Sequence, residues 1–126
     1  MGIVGIGVDM TTVSRIEKAL RQEGFTRRVF GEEEKALFAS RKKCLETQAA
    51  NFAAKEAFGK ALGSGILHEF SLHEAQALRD ERGAPYFHFT GRAAELMKAR
   101  RWKAHLSLSH EGGLATAFVV LESEEL

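Results

Sequence analysis

Apolar residues along the chain fall into short stretches of two different periods. Residues 3 to 8, Ile-Val-Gly-Ile-Gly-Val, are β-branched and carry two glycines, which predicts a buried strand that delivers Asp9 at its end. Val13, Ile16, Leu20 and Phe25 then recur at helical spacing, with Thr11, Thr12 or Ser14 placed to cap the helix. Glu32, Glu33 and Glu34 suit the first turn of a second helix, where carboxylates meet the positive end of the dipole, running through Leu37 and Phe38 to about Ser40. An Ala-rich, proline-free run predicts a third helix from Thr47 to Leu62, stopped by Gly63-Ser64-Gly65. Apolar and polar residues alternate from Phe70 to Leu78 and again from Pro85 to Thr90, with a turn at Arg79 to Gly83, which predicts a hairpin. Gly91 to Arg101 returns to helical spacing. A second hairpin follows, with strict alternation from His105 to His110, a turn at Glu111-Gly112-Gly113 and an apolar strand from Leu114 to Leu121. Helices interleaved with antiparallel hairpins, with no repeat or linker, predict one α+β domain over residues 1–126.

Composition narrows the function classes. Hydrophobic residues at 44% with a single Pro describe an ordinary globular chain with enough apolar surface for a core. The one cysteine, Cys44, excludes an intramolecular disulfide framework and points to a reducing, cytoplasmic setting. No run of eighteen apolar residues occurs, and the apolar start has no basic region before it and is broken by Asp9, so neither a signal peptide nor a membrane span is expected. Lys and Arg number 18 against 17 Asp and Glu, so charge acts only in patches and a nucleic-acid coat is excluded. One patch is the basic stretch with Arg15, Lys18, Arg21, Arg27 and Arg28.

Three groups of residues can carry chemistry. Asp9, after an apolar strand, either caps the next helix or offers a carboxylate to a hard cation such as Mg²⁺. Glu56 and Lys60, four apart on the third helix, share a face and form either a solvated ion pair or a metal ligand beside a phosphate-neutralising ammonium. His105, Ser107 and Ser109 share one strand face, with His110 on the other or in the turn. That face is either a half-exposed polar surface or a set of phosphate contacts with an imidazole able to move a proton near neutral pH. Gly5 and Gly7 lack the third glycine of a dinucleotide loop, Gly59-Lys60 is followed by Ala61 and so makes no phosphate loop, and no Cys pair or His-Glu-x-x-His spacing supports zinc.

Gly5-Ile-Gly-Val-Asp9, Phe52-Ala-Ala-Lys-Glu-Ala-Phe58 with Lys60, and His105-Leu-Ser-Leu-Ser-His110, in this order, resemble the holo-acyl-carrier-protein synthase family of 4'-phosphopantetheinyl transferases. Phe25-x-x-Arg28, Gly63-x-Gly65-Ile66 and Gly83-Ala-Pro85 extend the resemblance over nearly the whole chain. It implies a 4'-phosphopantetheinyl transferase-like fold, an antiparallel sheet packed with helices. It also implies Mg²⁺-dependent transfer of the phosphopantetheine arm of coenzyme A to a serine of apo acyl carrier protein, releasing 3',5'-ADP in support of fatty acid biosynthesis.

By the same resemblance Asp9 and Glu56 match the metal-binding carboxylates, and Lys60 matches a lysine near the pyrophosphate. Gly63, Gly83, Pro85, His105, Ser109 and His110 correspond to coenzyme A contacts. The base that takes the serine proton is left open among Glu56, a metal-held water and His105. Arg15, Arg21 and Arg28 face an acidic carrier, with Phe25 as an apolar anchor. Members of this length resemble homotrimers with active sites between subunits. Where the family usually has Arg, before the Phe-Ala-Ala-Lys-Glu run, this chain has Asn51, which implies either weaker affinity for the coenzyme A 3'-phosphate or charge supplied by Lys42, Lys43 or another subunit. Two readings compete: a non-enzymatic binding module on the basic patches, and a metal-dependent nucleotide phosphohydrolase using Asp9 and Glu56.

Overall fold

The computed structural model describes residues 1–63 and 69–125. Strand β1 spans Gly2–Thr12, followed by helices α1 (Val13–Ala19), α2 (Phe25–Val29), α3 (Glu32–Ala39) and α4 (Cys44–Leu62). A short 3-10 turn, Leu72–Glu74, leads into the hairpin β2 (Ala75–Arg79) and β3 (Pro85–Phe89). Helix α5 (Gly91–Arg100) precedes the second hairpin, β4 (Trp102–Glu111) and β5 (Leu114–Ser123). The strands form two antiparallel sheets, β1-β5-β4 and β2-β3. No helix among the described residues is long and apolar enough to cross a membrane.

Helix α4 organises the domain. Its alanines 49, 50, 53, 54, 57 and 61 and both of its phenylalanines are buried, because the helix is covered on nearly all sides. The first sheet lies against it so closely that side chains are excluded. A Cβ on Gly5 would come 2.1 Å from the Ala61 carbonyl oxygen, and one on Gly7 would come 2.0 Å from that of Ala57. The two glycines therefore serve helix-on-sheet packing. Phe58 sits at the centre of one core cluster, its ring 4.9 Å from those of Phe70 and Phe89. Phe25, Phe30, Phe38 and Phe52 fill a second cluster with Ile16 and Val29.

Several boundaries differ from the sequence expectation. β1 runs on through Thr12, because β5 continues to pair with it, so Asp9 lies within the strand opposite Ala117 rather than at its end. Thr12 is the α1 cap, its Oγ1 accepting from the Arg15 amide at 3.2 Å. α1 stops at Ala19 with Leu20 as its C-cap, and Phe25 opens a separate helix after Gly24, whose φ is 81°. α4 starts one turn earlier than expected, at Cys44, and ends at Gly63, whose φ is 80°. The stretch before Ala75 is a 3-10 turn capped by Glu74, which accepts from the Ser71 amide at 2.8 Å, so the first hairpin is shorter than its alternation implied. Gly65 and Ile66 lie outside the described residues.

Candidate functional site

Asp9 projects from β1 on the side of the sheet that packs against α4, in register with Ala117 and Leu108. The Lys60 ammonium, from the last turn of α4, donates to Asp9 Oδ1 at 3.0 Å and to the Val8 carbonyl at 3.1 Å. Lys60 stays more than half exposed, so its charge is available to a ligand. Glu56, one helical turn back, is half-buried. Burial pushes its carboxyl above the ordinary glutamate pKa, the negative Asp9 adds to that shift, and Arg15 and Lys60 oppose it. The two carboxylates act on one another electrostatically, and both are hard oxygen donors.

Mg²⁺ is held by one or two carboxylates completed by water and phosphate, so Asp9 and Glu56 fit that ion. Among the described residues no group of three or more His, Cys, Asp or Glu side chains converges on one point.

The start of α4 lines a cavity of about 490 Å³. Arg41, Lys42 and Lys43 from the α3-α4 connection, Arg79 from β2 and His110 from β4 make it strongly cationic, and Gly83 and Pro85 form one wall. Among the described residues Glu46 is its one acidic lining residue, and its Oε2 lies 3.4 Å from His110 Nδ1. Arg79 is held from behind: its Nη2 donates to Asn51 Oδ1 at 2.8 Å and its Nη1 to the Leu78 carbonyl at 3.2 Å. Burial and then the neighbouring Arg41 lower its pKa to about 10, with Glu34 opposing. Two guanidinium groups facing one space favour an anion there.

A profile of the 4'-phosphopantetheinyl transferase superfamily matches residues 5–119. The chain belongs to that superfamily. It is 43% identical to a holo-[acyl-carrier-protein] synthase of Vibrio vulnificus over 126 residues, covering 98% of this chain and all of that one. It is also 43% identical to the Myxococcus xanthus protein of the same name, with 98% of both chains covered. Among solved structures, the holo-[acyl-carrier-protein] synthase of Neisseria meningitidis superposes with a TM-score of 0.88 at 32% identity, covering 96% of this chain and 99% of that one. The Bacillus anthracis synthase in complex with CoA (3',5'-ADP) gives 0.83 at 37% identity, covering 98% and 100%.

The phosphopantetheinyl transferase residues expected from the sequence do not all meet in one chain. Asp9, Glu56 and Lys60 come together, and Gly83, Pro85 and His110 line the cavity. Gly63 terminates α4 three residues past Lys60. His105 and Ser109, by contrast, face the opposite side of the sheet, because strand alternation sends them away from Leu108 and His110. His105 Nε2 pairs with Glu122 Oε1 at 2.9 Å on that outer face. As a base acting on its own chain's Asp9 cluster, His105 is therefore excluded by the sheet between them.

Phe25 is corrected as well. It is 9% exposed and packs against Phe30 and Phe52, so it is a core residue that only floors a shallow groove beside Arg15 and Lys18. Arg15, Arg21 and Arg28 are exposed as expected, and the Arg15 guanidinium lies 5.5 Å from the Phe52 ring centroid.

Sequence reasoning missed a buried polar chain behind the cavity. Lys55 and Glu34 are fully buried and joined at 2.5 Å. The amide nitrogen of Asn51 donates to Glu34 Oε2 at 2.9 Å and to the Ala77 carbonyl at 2.8 Å, leaving its oxygen for Arg79. A Lys inside an otherwise apolar helical face, Phe52-Ala-Ala-Lys55, was the available signal of an internal partner.

Proposed function

We propose that this chain is a holo-[acyl-carrier-protein] synthase that transfers 4'-phosphopantetheine from coenzyme A to a serine of apo acyl carrier protein, releasing adenosine 3',5'-bisphosphate. The reaction uses Mg²⁺ and takes place in the cytoplasm, in support of fatty acid biosynthesis. The observation that carries the reading is the Asp9-Glu56-Lys60 cluster along the same helix as a cationic cavity, in a chain 43% identical to such synthases over nearly its full length.

In the transfer, the serine Oγ bonds to the phosphorus of the pantetheine phosphate, the bond to the adenosine phosphate oxygen breaks, and the serine proton leaves to a base. Such a centre is made reactive mainly by positioning and charge neutralisation. Asp9 and Glu56 would hold Mg²⁺, which would supply charge neutralisation at the pyrophosphate. Lys60, tethered by Asp9 and the Val8 carbonyl, adds an ammonium to the same oxygens. Gly83 and Pro85 offer the adenine a wall, and the basic cavity receives phosphate. The exposed Arg15, Arg21 and Arg28 steer an acidic carrier toward this end of the molecule.

The active unit is a homotrimer, with His105 and Ser109 of one subunit serving a neighbour's site. Two features support that assembly. The outer face of the first sheet exposes Ile6, Val8 and Met10 on β1 beside Phe118 on β5, an apolar strip on a free monomer's surface. The same face carries His105, Ser107 and Ser109, which have no role within their own chain's cluster.

The test is intact-mass analysis of apo acyl carrier protein incubated with coenzyme A, Mg²⁺ and this protein. A chelator-sensitive gain of one phosphopantetheine is expected. Adenosine 3',5'-bisphosphate released without any carrier modification would overturn the reading in favour of nucleotide hydrolysis.

A further inference from the structure

A groove of about 510 Å³ lies between α2, the turn at Leu72–Glu74 and the first turn of α5. Only its Arg28 enters the transfer described above, as one of the arginines that face the carrier. Val29, Phe70 and Leu72 give the groove an apolar lining. Its charge is all of one sign: Arg27 and Arg28 come from α2 and Arg92 from α5, the three are exposed, and among the described residues no Asp or Glu lines it.

The arginine contacts in this groove are to uncharged groups. Arg28 Nη1 donates to the Glu23 carbonyl at 3.3 Å, and Arg92 Nη2 donates to Ser71 Oγ at 3.5 Å. Two of the walls are tied together by buried Glu74, whose carboxylate accepts from the Ser71 amide at 2.8 Å and from the Arg92 amide at 2.9 Å. A pocket fixed in this way loses little ordering entropy when it is filled.

An apolar lining beneath three guanidinium groups suits a ligand with an anionic head and an apolar body. The volume is that of a small-molecule pocket, whereas a protein partner needs a broad face of about 800 Å². We propose that this groove binds an amphiphilic carboxylate, a free fatty acid of medium chain length, whose head covers Arg28 and so competes with the carrier protein. The competition rests on the carrier reading above. The end products of the synthesis that the carrier serves would then slow the carrier's activation.

Isothermal titration with decanoate, with no coenzyme A, Mg²⁺ or carrier present, tests the site. Decanoate should bind at least about tenfold more tightly than hexanoate, because each fully buried methylene is worth about fourfold and the groove covers part of the chain. It should also bind at least about tenfold more tightly than decanol, the scale of one charge-assisted hydrogen bond. R27Q and R92Q, at exposed positions, should each weaken decanoate at least about threefold and leave decanol unchanged. Absence of decanoate binding, or equal binding of decanoate with hexanoate or with decanol, overturns the proposal. Decanoate affinity unchanged in both variants overturns it too, since the fatty acid then sits elsewhere. Fluorescence anisotropy of labelled apo carrier tests the competition: decanoate at ten times its Kd should weaken carrier affinity about tenfold. Carrier affinity unchanged with decanoate bound overturns the competition. A carrier that does not bind the wild type overturns the carrier reading and leaves the fatty-acid site standing, whereas R92Q that loses carrier affinity in a protein blind to decanoate makes the groove a carrier contact and overturns the proposal.

Discussion

Lys55→Met tests the buried ion pair on which the cavity's back wall depends. Lys55 and Glu34 are both fully buried, and the ammonium also donates to the carbonyls of Leu72 at 3.1 Å and Ala75 at 2.8 Å. Methionine matches the stem but removes the charge. Glu34 would keep three donors, the amides of Gly31 and Ala77 and the Asn51 side chain, yet would lose the ammonium bonded to it, and two carbonyls would lose the same donor. Removing one member of such a pair costs about 3–5 kcal/mol, a large part of the roughly 5–15 kcal/mol that holds a domain together.

The assay is urea unfolding followed by circular dichroism, with Glu34→Gln and the double variant completing a cycle. The double variant should be less destabilised than the sum of the single variants by at least about 2 kcal/mol, because it no longer buries a lone charge. Additive effects, or a Lys55→Met loss below about 1 kcal/mol, would refute the reasoning. The pair also has a pH signature. Burial pulls the Lys55 pKa from 10.5 down to about 8, against the opposing pull of Glu34. Between those values the unfolded chain binds the extra proton, so the Lys55 contribution to stability rises as pH rises from about 8 toward 10.5. The stability gap between wild type and Lys55→Met should therefore widen between pH 7.5 and 9.5.

Gly7→Ala places a Cβ against the Ala57 carbonyl and should cost about 1–3 kcal/mol in urea unfolding, as other forced overpacking does; an unchanged midpoint would show that α4 can back away from β1. Asp9→Ala and Glu56→Ala should each lower turnover at least about a hundredfold with the melting temperature nearly intact, and Mg²⁺-dependent activity near the wild-type level in either would remove the metal assignment. Phe118→Glu puts a charge into the exposed apolar strip. Light scattering should find the wild type at about three times its 13.9 kDa chain mass and the variant near one, with activity lost together with assembly; a monomeric, active wild type would dismiss the trimer.

Local pattern was enough to read much of this chain. Alternation along Leu106-Ser107-Leu108-Ser109, the Gly112-Gly113 turn and the alanine-rich run of α4 depend on residues next to one another, and so do the elements they form. Asp9, Glu56 and Lys60 were singled out by the family resemblance, since their spacing alone also allowed a helix cap and a solvated ion pair. What the sequence left undecided depends on contacts between distant positions. Gly5 and Gly7 were read as members of a buried strand, but that a side chain at either would strike α4 depends on Ala57 and Ala61, fifty or more residues away. Glu34 was read only as one of three carboxylates in a helix's first turn. Its partners Asn51, Lys55 and Ala77 are 17 to 43 residues away, and only packing removed water from it. The strand period placed His105 and Ser109 on one face, but only the sheet's packing against α4 decided that this face turns away from Asp9. Arg79 read as a turn residue, and became part of a cationic cavity because β2 packs against the start of α4. Periodicity is set by the backbone and survives in sequence, whereas the face an element turns toward its neighbours is decided by which apolar surfaces bury one another.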